Sequence, residues 1–440
     1  MRIGAFFFGG VEMSDAGAGL PAPTDRRFGP AEFARTQERL LDLGVVADRL
    51  GYDAFWLTEH HFQYEGYEVV PNAILFGAFL AERTRRIRIG ALFNIVPQWH
   101  PLRLAEDFAM LHNLSGGRAI LGVGRGTVPR EAEPLGTVIG SYDNPDKAEA
   151  DRINREVMDE AMAVIRLALD NERFSFHGRH FNLPPGGIPD RGGTVQELTL
   201  VPRPLWPYQI WQAITSPPTL EHVPRAGYGG VFWLLNHDLM RAWWDRYADN
   251  YAAARASEGN GARSVAGAGS AAGAGLAAGP GLAAGAGLAA GAGLAAGPGL
   301  PAVCQPGERR MLVLNVRIAD THEAAWASAR PGHDEFWKFL GPYGWSRGYL
   351  GADGRPSPPG LIPTLEDSVA QRVWVIGDAD EVAEGIDYYR EQLSVQDLAI
   401  FPGYPGDSFE VCEEQLVRFA EDVAPRLGCA MSAPAAEATD

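Results

Sequence analysis

The amino-acid sequence predicts an α/β fold, a (β/α)8 TIM barrel with insertions. Short apolar runs alternate with helical patterns along most of the chain, as parallel strands with crossover helices require. The strands that lead into helices number about eight, which is enough to close a barrel. The GxGxxG turn that would mark a doubly wound sheet is missing after the first strand, which disfavours that competing architecture. The length of 440 residues exceeds the roughly 250 of a typical barrel and leaves room for insertions.

Arg2–Phe8 reads as a buried strand, followed after the long loop Gly9–Pro30 by an amphipathic helix over Ala31–Leu50. Strand Asp53–Thr58 precedes helix Asn72–Glu82, and strand Arg86–Val96 precedes helix Leu102–Leu114. Strand Arg118–Gly124 precedes helix Lys147–Leu169; Tyr208–Ala213 and Gly229–Leu235 continue the series. The run GALFNIV (Gly90–Val96) is continuously apolar, as a strand buried on both faces should be.

The alternation breaks at Gly261–Pro301, where GLAAGA or GLAAGP repeats from Gly275 to Pro298. Gly and Pro at this density stop a helix, and the small side chains bury too little area to offset ordering entropy. The expectation is a disordered insertion within a single barrel domain of residues 1–430, with residues 431–440 as a disordered tail. Order resumes with strand Arg310–Ile318 and helical sequence over Thr321–Arg330, interrupted at Pro331–Gly332 and followed by a Pro/Gly-rich loop through Pro363. Val373–Ile376, helix Asp380–Leu393, strand Asp397–Phe401 and a last helix over Ser408–Leu427 complete the chain.

The formal net charge is −17, from 38 basic and 55 acidic residues, so nucleic acid and anionic membrane surfaces are poor partners. Cys304, Cys412 and Cys429 are widely spaced, with no CxxC or Cys/His ligand pattern, which argues against a zinc site or a disulfide framework. The N-terminal MRIGAFFFGG is too short for a signal peptide, and no stretch approaches the roughly 20 apolar residues of a membrane helix. A soluble cytoplasmic protein is expected.

In such a barrel the chemistry lies at the C-terminal ends of the strands. The second strand ends in FWLTEHHF, placing Glu59, His60 and His61 at the rim, where an imidazole can move protons near neutral pH. A metal reading is weak, because adjacent residues in extended chain point to opposite sides. After the third strand, Asn94 could hydrogen-bond a heteroaromatic ring and His100 could line the same mouth. After the fourth, GVGRG allows close approach to a ligand, and Arg125 offers a planar donor fork suited to phosphate. After the fifth, Thr215, Ser216 and Thr219 stand where a strand passes into a helix. They fit an anion site at a helix N-terminus and ordinary N-capping equally well.

Together, GYDAFWLTEHHF (Gly51–Phe62), RIRIGALFNIVPQWHPLRLAEDFAMLHNLSGGRAILGVGRG (Arg86–Gly126) and VIGDADEVAEGIDYY near the C-terminus resemble the bacterial luciferase-like family of flavin-dependent monooxygenases. The resemblance implies a barrel that binds reduced flavin mononucleotide (FMN), often supplied by a separate flavin reductase. Oxygen would be captured as a flavin hydroperoxide that reacts with a small organic substrate. It implies that the flavin phosphate lies near Arg125, Thr127, Ser216 and Thr219, with Thr215 beside them and Asn94 near the ring. His60 matches the family's active-site histidine and would be the acid/base group, supported by His61 and Glu59. A homodimer is the family's habit. Gly124 stands about where the luciferase α subunit carries a reactive cysteine, and Thr215 about where it has an acidic residue, so bioluminescence is not implied.

One rival reading is a dehydrogenase using the deazaflavin coenzyme on a similar barrel; the EHHF strand end favours the monooxygenase branch. Another is a flavin-binding homologue without turnover, against which His60, Arg125 and the Thr/Ser pair argue. The Gly9–Pro30 loop is expected to shape substrate access.

Overall fold

A computed structural model describes residues 1–19, 22–140, 146–266, 305–351, 353–358, 360–429 and 431. Eight parallel strands close into a ring: β1 (Arg2–Phe7), β2 (Ala54–Leu57), β3 (Arg88–Ala91), β4 (Ala119–Gly124), β5 (Ile210–Ala213), β6 (Gly229–Phe232), β7 (Arg310–Ile318) and β8 (Asp397–Phe401). Each pairs with the next in sequence, and β8 returns to β1 through Arg2↔Asp397 to Ala5↔Ile400. The helices that matter below are α1 (Pro30–Leu50), α2 (Ala73–Arg83), α3 (Pro101–Leu114), α4 (Lys147–Asp170), α5 (Pro217–Arg225), α6 (His237–Ala266), α7 (His322–Leu340), α8 (Ala379–Leu393) and α9 (Phe409–Arg418). The ring is the predicted (β/α)8 barrel.

The interior is filled by side chains of unequal size. Trp56 on β2 lies between two glycines on the neighbouring strands: a Cβ at Gly4 would come within 2.6 Å of its ring and one at Gly90 within 2.3 Å. Phe6, Ile120, Trp211, Met311, Val313 and Phe401 complete the same buried cluster. A packed interior leaves the mouth as the place for a ligand.

Four elements differ from expectation. The apolar run near Val373 forms a short strand, Trp374–Gly377, which pairs with Asn315–Ile318 at the far end of β7 and stays outside the ring. The third expected strand, Arg86–Val96, is broken: after β3 the peptide Leu92–Phe93 is cis, and Asn94–Ile95 then pairs with Val123 and Gly124. Helix α7 does not stop at Pro331 but continues to Leu340. A helical proline costs about 3 kcal/mol. Burying Phe336, Trp337, Phe339 and Leu340, at about 1.5–3 kcal/mol each, outweighs it. Finally, α6 continues through Ala266, six residues into the Gly/Ala-rich segment expected to be irregular from Gly261; the remainder to Pro301 lies outside the described residues, as do Cys304 and residues 432–440.

The long loop after β1 is tied down. Arg26 is buried and paired with the fully buried Glu335 of α7, which also accepts from the Tyr67 hydroxyl, the Gly17 backbone N–H and Lys338. Burial alone would raise the Glu335 pKa, but Arg26, Tyr67 and Gly17 hold it below the ordinary carboxylate range. Its carboxylate therefore stabilises the fold above the unfolded value near 4.5, and this contribution is lost as pH falls through the lower folded value. Glu335→Gln is expected to destabilise the protein by about 3–5 kcal/mol at pH 7. In thermal unfolding at pH 7 and at stepwise lower pH, the gap from wild type should narrow only below the ordinary glutamate range; a pH-independent gap would refute the ion-pair account.

Gly122 is dictated by the broken third strand, since a Cβ there would sit 1.7 Å from the Ala91 carbonyl oxygen. Backbone cannot yield as a side-chain tip can. Gly122→Ala is expected to cost several kcal/mol, more than the roughly 1 kcal/mol typical of point mutants, read as loss of soluble protein or a sharply lower Tm.

Candidate active site

A cavity of about 900 Å³ opens at the C-terminal ends of the strands, within the range that holds small molecules and cofactors. Phe6 and Phe8, Thr58 and His60, Phe93 and Ile95, Gly124 to Val128, Gln212 to Ser216, and Trp233 reach it from the first six strands in turn. Phe339, Tyr343 and Trp345, at and beyond the end of α7, cover it from above the ring.

One part of the wall is cationic and hydroxyl-rich. β4 and β5 pair in register, Gly122↔Trp211 and Val123↔Gln212, so the loops that follow them emerge side by side. Arg125, Thr127, Thr215, Ser216 and Thr219 all line the cavity, with Arg155 from α4. Arg125 donates to Asp151 at 2.7 Å, and Arg155 donates to the other oxygen of Asp151 at 3.0 Å. Burial opposes the Asp151 charge, but the two guanidinium groups lower its pKa. Two cations sharing one carboxylate leave one positive charge facing the cavity.

The start of α5 behaves as a capped helix. Pro217 and Pro218 have no N–H to offer, and the Thr215 and Ser216 amides already donate to the Thr219 hydroxyl at 3.2 and 3.1 Å. Of the two readings open in the sequence, capping therefore accounts for these backbone groups. An anion here would be met by Arg125, Arg155 and the remaining hydroxyls rather than by a nest of amides.

Across the cavity, His60 is held between two carboxylates. Its Nδ1 lies 3.0 and 3.1 Å from the two oxygens of Glu131, and its Nε2 lies 3.0 Å from Oε2 of Glu68. Glu131 sits on the short helix Pro129–Ala132 after β4 and also accepts from Gln63. That helix is stitched to the loop after β2 by Arg130, which pairs with Glu65 at 2.6 Å and bonds Gln63. Glu68 is brought close because the loop doubles back, the His60 amide donating to the Val70 carbonyl. Burial opposes the imidazolium, yet Glu131, Glu68 and, farther off, Glu59 raise the His60 pKa to about 9. Burial, reinforced by Glu131 and opposed by His60, pushes Glu68 up to about 8. Glu131 goes the other way: burial would raise its pKa, but His60 and Gln63 hold it low. At neutral pH the trio is thus an imidazolium, one carboxylate and one carboxylic acid.

Four of the expected residues are not in the cavity wall. Glu59 is fully buried behind it, accepting from the Trp99 indole at 2.8 Å and the Ile95 amide at 3.2 Å, so it braces the broken third strand. His61 turns towards Glu59, 3.6 Å away, because successive residues of extended chain face opposite ways. Asn94 donates to the Gly122 carbonyl at 2.8 Å, while its buried Oδ1 has no hydrogen-bond partner among the described residues. His100 caps α3 from outside the wall, its ring packed edge-on against Phe181.

Glu68, Glu131, Gln212 and Trp233 were not singled out from the sequence. An acidic residue inside the otherwise apolar Gly66–Val70 run was the available signal for Glu68; Glu131, in the charged PREAE segment, carried none. Among the described residues no cluster of His, Cys, Asp and Glu is arranged to hold a metal ion. Among them too, no helix is long and apolar enough to cross a membrane.

The parallel barrel thus carries at its C-terminal mouth a cavity with arginines and hydroxyls on one wall and a histidine on another. The chain belongs to the luciferase-like monooxygenase family, which it matches over residues 1–274. It is 38% identical to limonene 1,2-monooxygenase of Rhodococcus erythropolis over 158 residues, 36% of each chain. It is 27% identical to F420-dependent glucose-6-phosphate dehydrogenase of Kineococcus radiotolerans over 195 residues, 44% of this chain and 51% of that one. These matches span only about a third to a half of the relatives' length. The oxygenating constituent of 3,6-diketocamphane monooxygenase from Pseudomonas putida, solved with FMN, shares the fold at a TM-score of 0.64 and 18% identity, covering 99% of both chains.

If Glu59 braces the third strand rather than contacting a ligand, Glu59→Ala should lower stability by about 1–3 kcal/mol through the stranded Trp99 and Ile95 donors. Ligand affinity, measured under conditions where the variant is folded, should change less than threefold.

Proposed function

We propose that this protein is a monooxygenase that binds reduced FMN and uses oxygen to oxygenate a small organic substrate. One observation carries the reading: a single cavity presents a cationic, hydroxyl-lined pocket on one wall and His60 on another, roofed by aromatic side chains. The residues fit a flavin nucleotide. Gln212 lines the cavity with a buried Oε1 that has no hydrogen-bond partner among the described residues, as an acceptor awaiting a ring N–H would. The named relatives include a monooxygenase and an FMN-bound structural neighbour, which support the same cofactor.

Arg125, Arg155, Thr127, Thr215 and Ser216 would hold the phosphate, with Thr219 fixing the loop through its hydroxyl. The bound flavin would supply the electrons and the oxygen activation. The protein's own work is to orient, to exclude water and to manage a proton. Phe8, Trp233, Phe339, Tyr343 and Trp345 form a wall suited to an apolar or aromatic substrate and keep water from the reacting centre. His60 holds a proton on a nitrogen at that wall. Glu59 supports this site from behind, through the third strand it braces and through its charge on His60, and Asn94 holds the Gly122 carbonyl.

Supply of reduced FMN by a separate reductase, a homodimeric state and a single barrel domain over 1–430 interrupted by the 261–301 insertion belong to the same proposal. The structural neighbour from Pseudomonas putida is itself an oxygenating constituent, which supports the reductase. The deazaflavin reading is kept because a relative using that coenzyme aligns over 44% of the chain; a flavin-binding protein without turnover is the remaining alternative.

Titrating the protein with FMN, riboflavin and the deazaflavin coenzyme, each oxidised and reduced, separates these readings. Tight binding of reduced FMN followed by oxygen consumption supports the monooxygenase; preference for the deazaflavin, without oxygen uptake, overturns it. Arg125→Ala should weaken FMN by roughly ten- to a hundredfold, the worth of a charged hydrogen bond, and leave riboflavin nearly unchanged. Equal losses for both ligands would remove Arg125 from the phosphate site.

A further inference from the structure

We propose that Glu68 is the proton-transfer partner of His60, exchanging a proton between its Oε2 and the His60 Nε2 and presenting it to the substrate in the cavity. The inference rests on the oxygenase reading above and adds a second acid/base group to that site. Four observations carry it.

The two ring nitrogens of His60 are not equivalent. Nδ1 faces both oxygens of Glu131 at 3.0 and 3.1 Å, so its proton is pinned. Nε2 faces only Glu68, at 3.0 Å. Of the two carboxyl groups, Glu68 borders the cavity and Glu131 does not. The Glu68 side chain is 1% exposed, and its Oε2 makes no well-aligned hydrogen bond despite its closeness to Nε2. A buried oxygen in that condition is an incomplete pair, open to rearrangement when a ligand arrives.

Among the described residues the surroundings supply no other donor of the same kind. Facing the pair are Glu59 from the end of β2, Glu131 and the Glu65-paired Arg130 from the short helix after β4, and Tyr343 from beyond α7. Burial raises the Tyr343 phenol above its ordinary value, which removes it as an acid near neutrality. Glu131 stays ionised, and Glu68 stays protonated into the alkaline range because it is buried beside that negative charge.

The steps balance in protons alone. Glu68 gives the proton of its carboxylic acid to a substrate or oxygen atom in the cavity. His60 then passes its Nε2 proton to the Glu68 carboxylate and is left as the neutral imidazole bearing hydrogen on Nδ1, the tautomer that Glu131 selects. A proton from solvent, taken at the cavity mouth, restores Nε2–H.

The test is a pH titration of the protein without cofactor, labelled with ¹³C and ¹⁵N in histidine and ¹³C at glutamate carboxyls. His60→Asn and Glu68→Gln variants assign the signals. In wild type the His60 ring and the Glu68 carboxyl should share two inflections, near pH 8 and pH 9. In Glu68→Gln the His60 signal should show one inflection, shifted to lower pH by the loss of a carboxylate. Single-turnover reoxidation of bound reduced FMN by oxygen should then follow that single inflection in place of two, and Glu68→Asp should restore the second. Independent titrations in wild type, or an unchanged His60 curve in Glu68→Gln, would overturn the proposal. If one variant fails to fold, the other still assigns its own signal, and the coupled titration is read from the wild-type protein. A protein that shows the coupled titration but does not bind FMN would instead remove the oxygenase reading and leave the His60–Glu68 pair standing.

Discussion

A filled barrel is the constraint from which the rest of this structure follows. Trp56 occupies the interior because glycines on both neighbouring strands yield the space, and Trp211, Phe6 and Phe401 take what remains. With no room along the axis, polar chemistry is displaced to the mouth, onto residues that follow the strands. There the chain meets a second constraint: carboxylates and arginines close to the core must be paired or neutralised. Glu335 with Arg26, Glu65 with Arg130 and Asp151 with two arginines are solved by pairing. Glu68 is solved by keeping its proton.

These pairs also decide which loops stay put. Arg130, Glu65 and Gln63 join the loop after β2 to the one after β4, so the two carriers of the His60 partners move as a unit. The Arg26–Glu335 contact fastens the long first loop to α7, whose far end supplies the aromatic roof. The described loops around the cavity are thereby stitched to one another at these two points.

The barrel was legible because its signals are periodic and repeated: apolar runs followed by amphipathic helices, ending in EHHF, GVGRG and TSPPT. The strand ends gave His60, Arg125, Thr127, Thr215, Ser216 and Thr219, all of which line the cavity. Glu59, His61 and Asn94 lie outside the cavity wall for local reasons: Glu59 and His61 face each other on the side away from His60, and Asn94 pairs with Val123 after a gap in the third strand that no residue announces. Glu131 was invisible because its place depends on Arg130 meeting Glu65, a contact between residues 65 positions apart. Helix α7 was cut short at Pro331 because propensity is local, whereas the burial of Phe336 and Trp337 that carries the helix onward is not.

Residues 305–309 lead into β7 at the end of the barrel where strands begin. The chain re-enters there: Gly307 sits against the Ser394 carbonyl at the close of α8, and the Pro306 carbonyl accepts from Gln396 just before β8. The cavity is at the opposite end. Side-chain changes at the entry to β7 therefore act on stability and leave the cavity lining untouched.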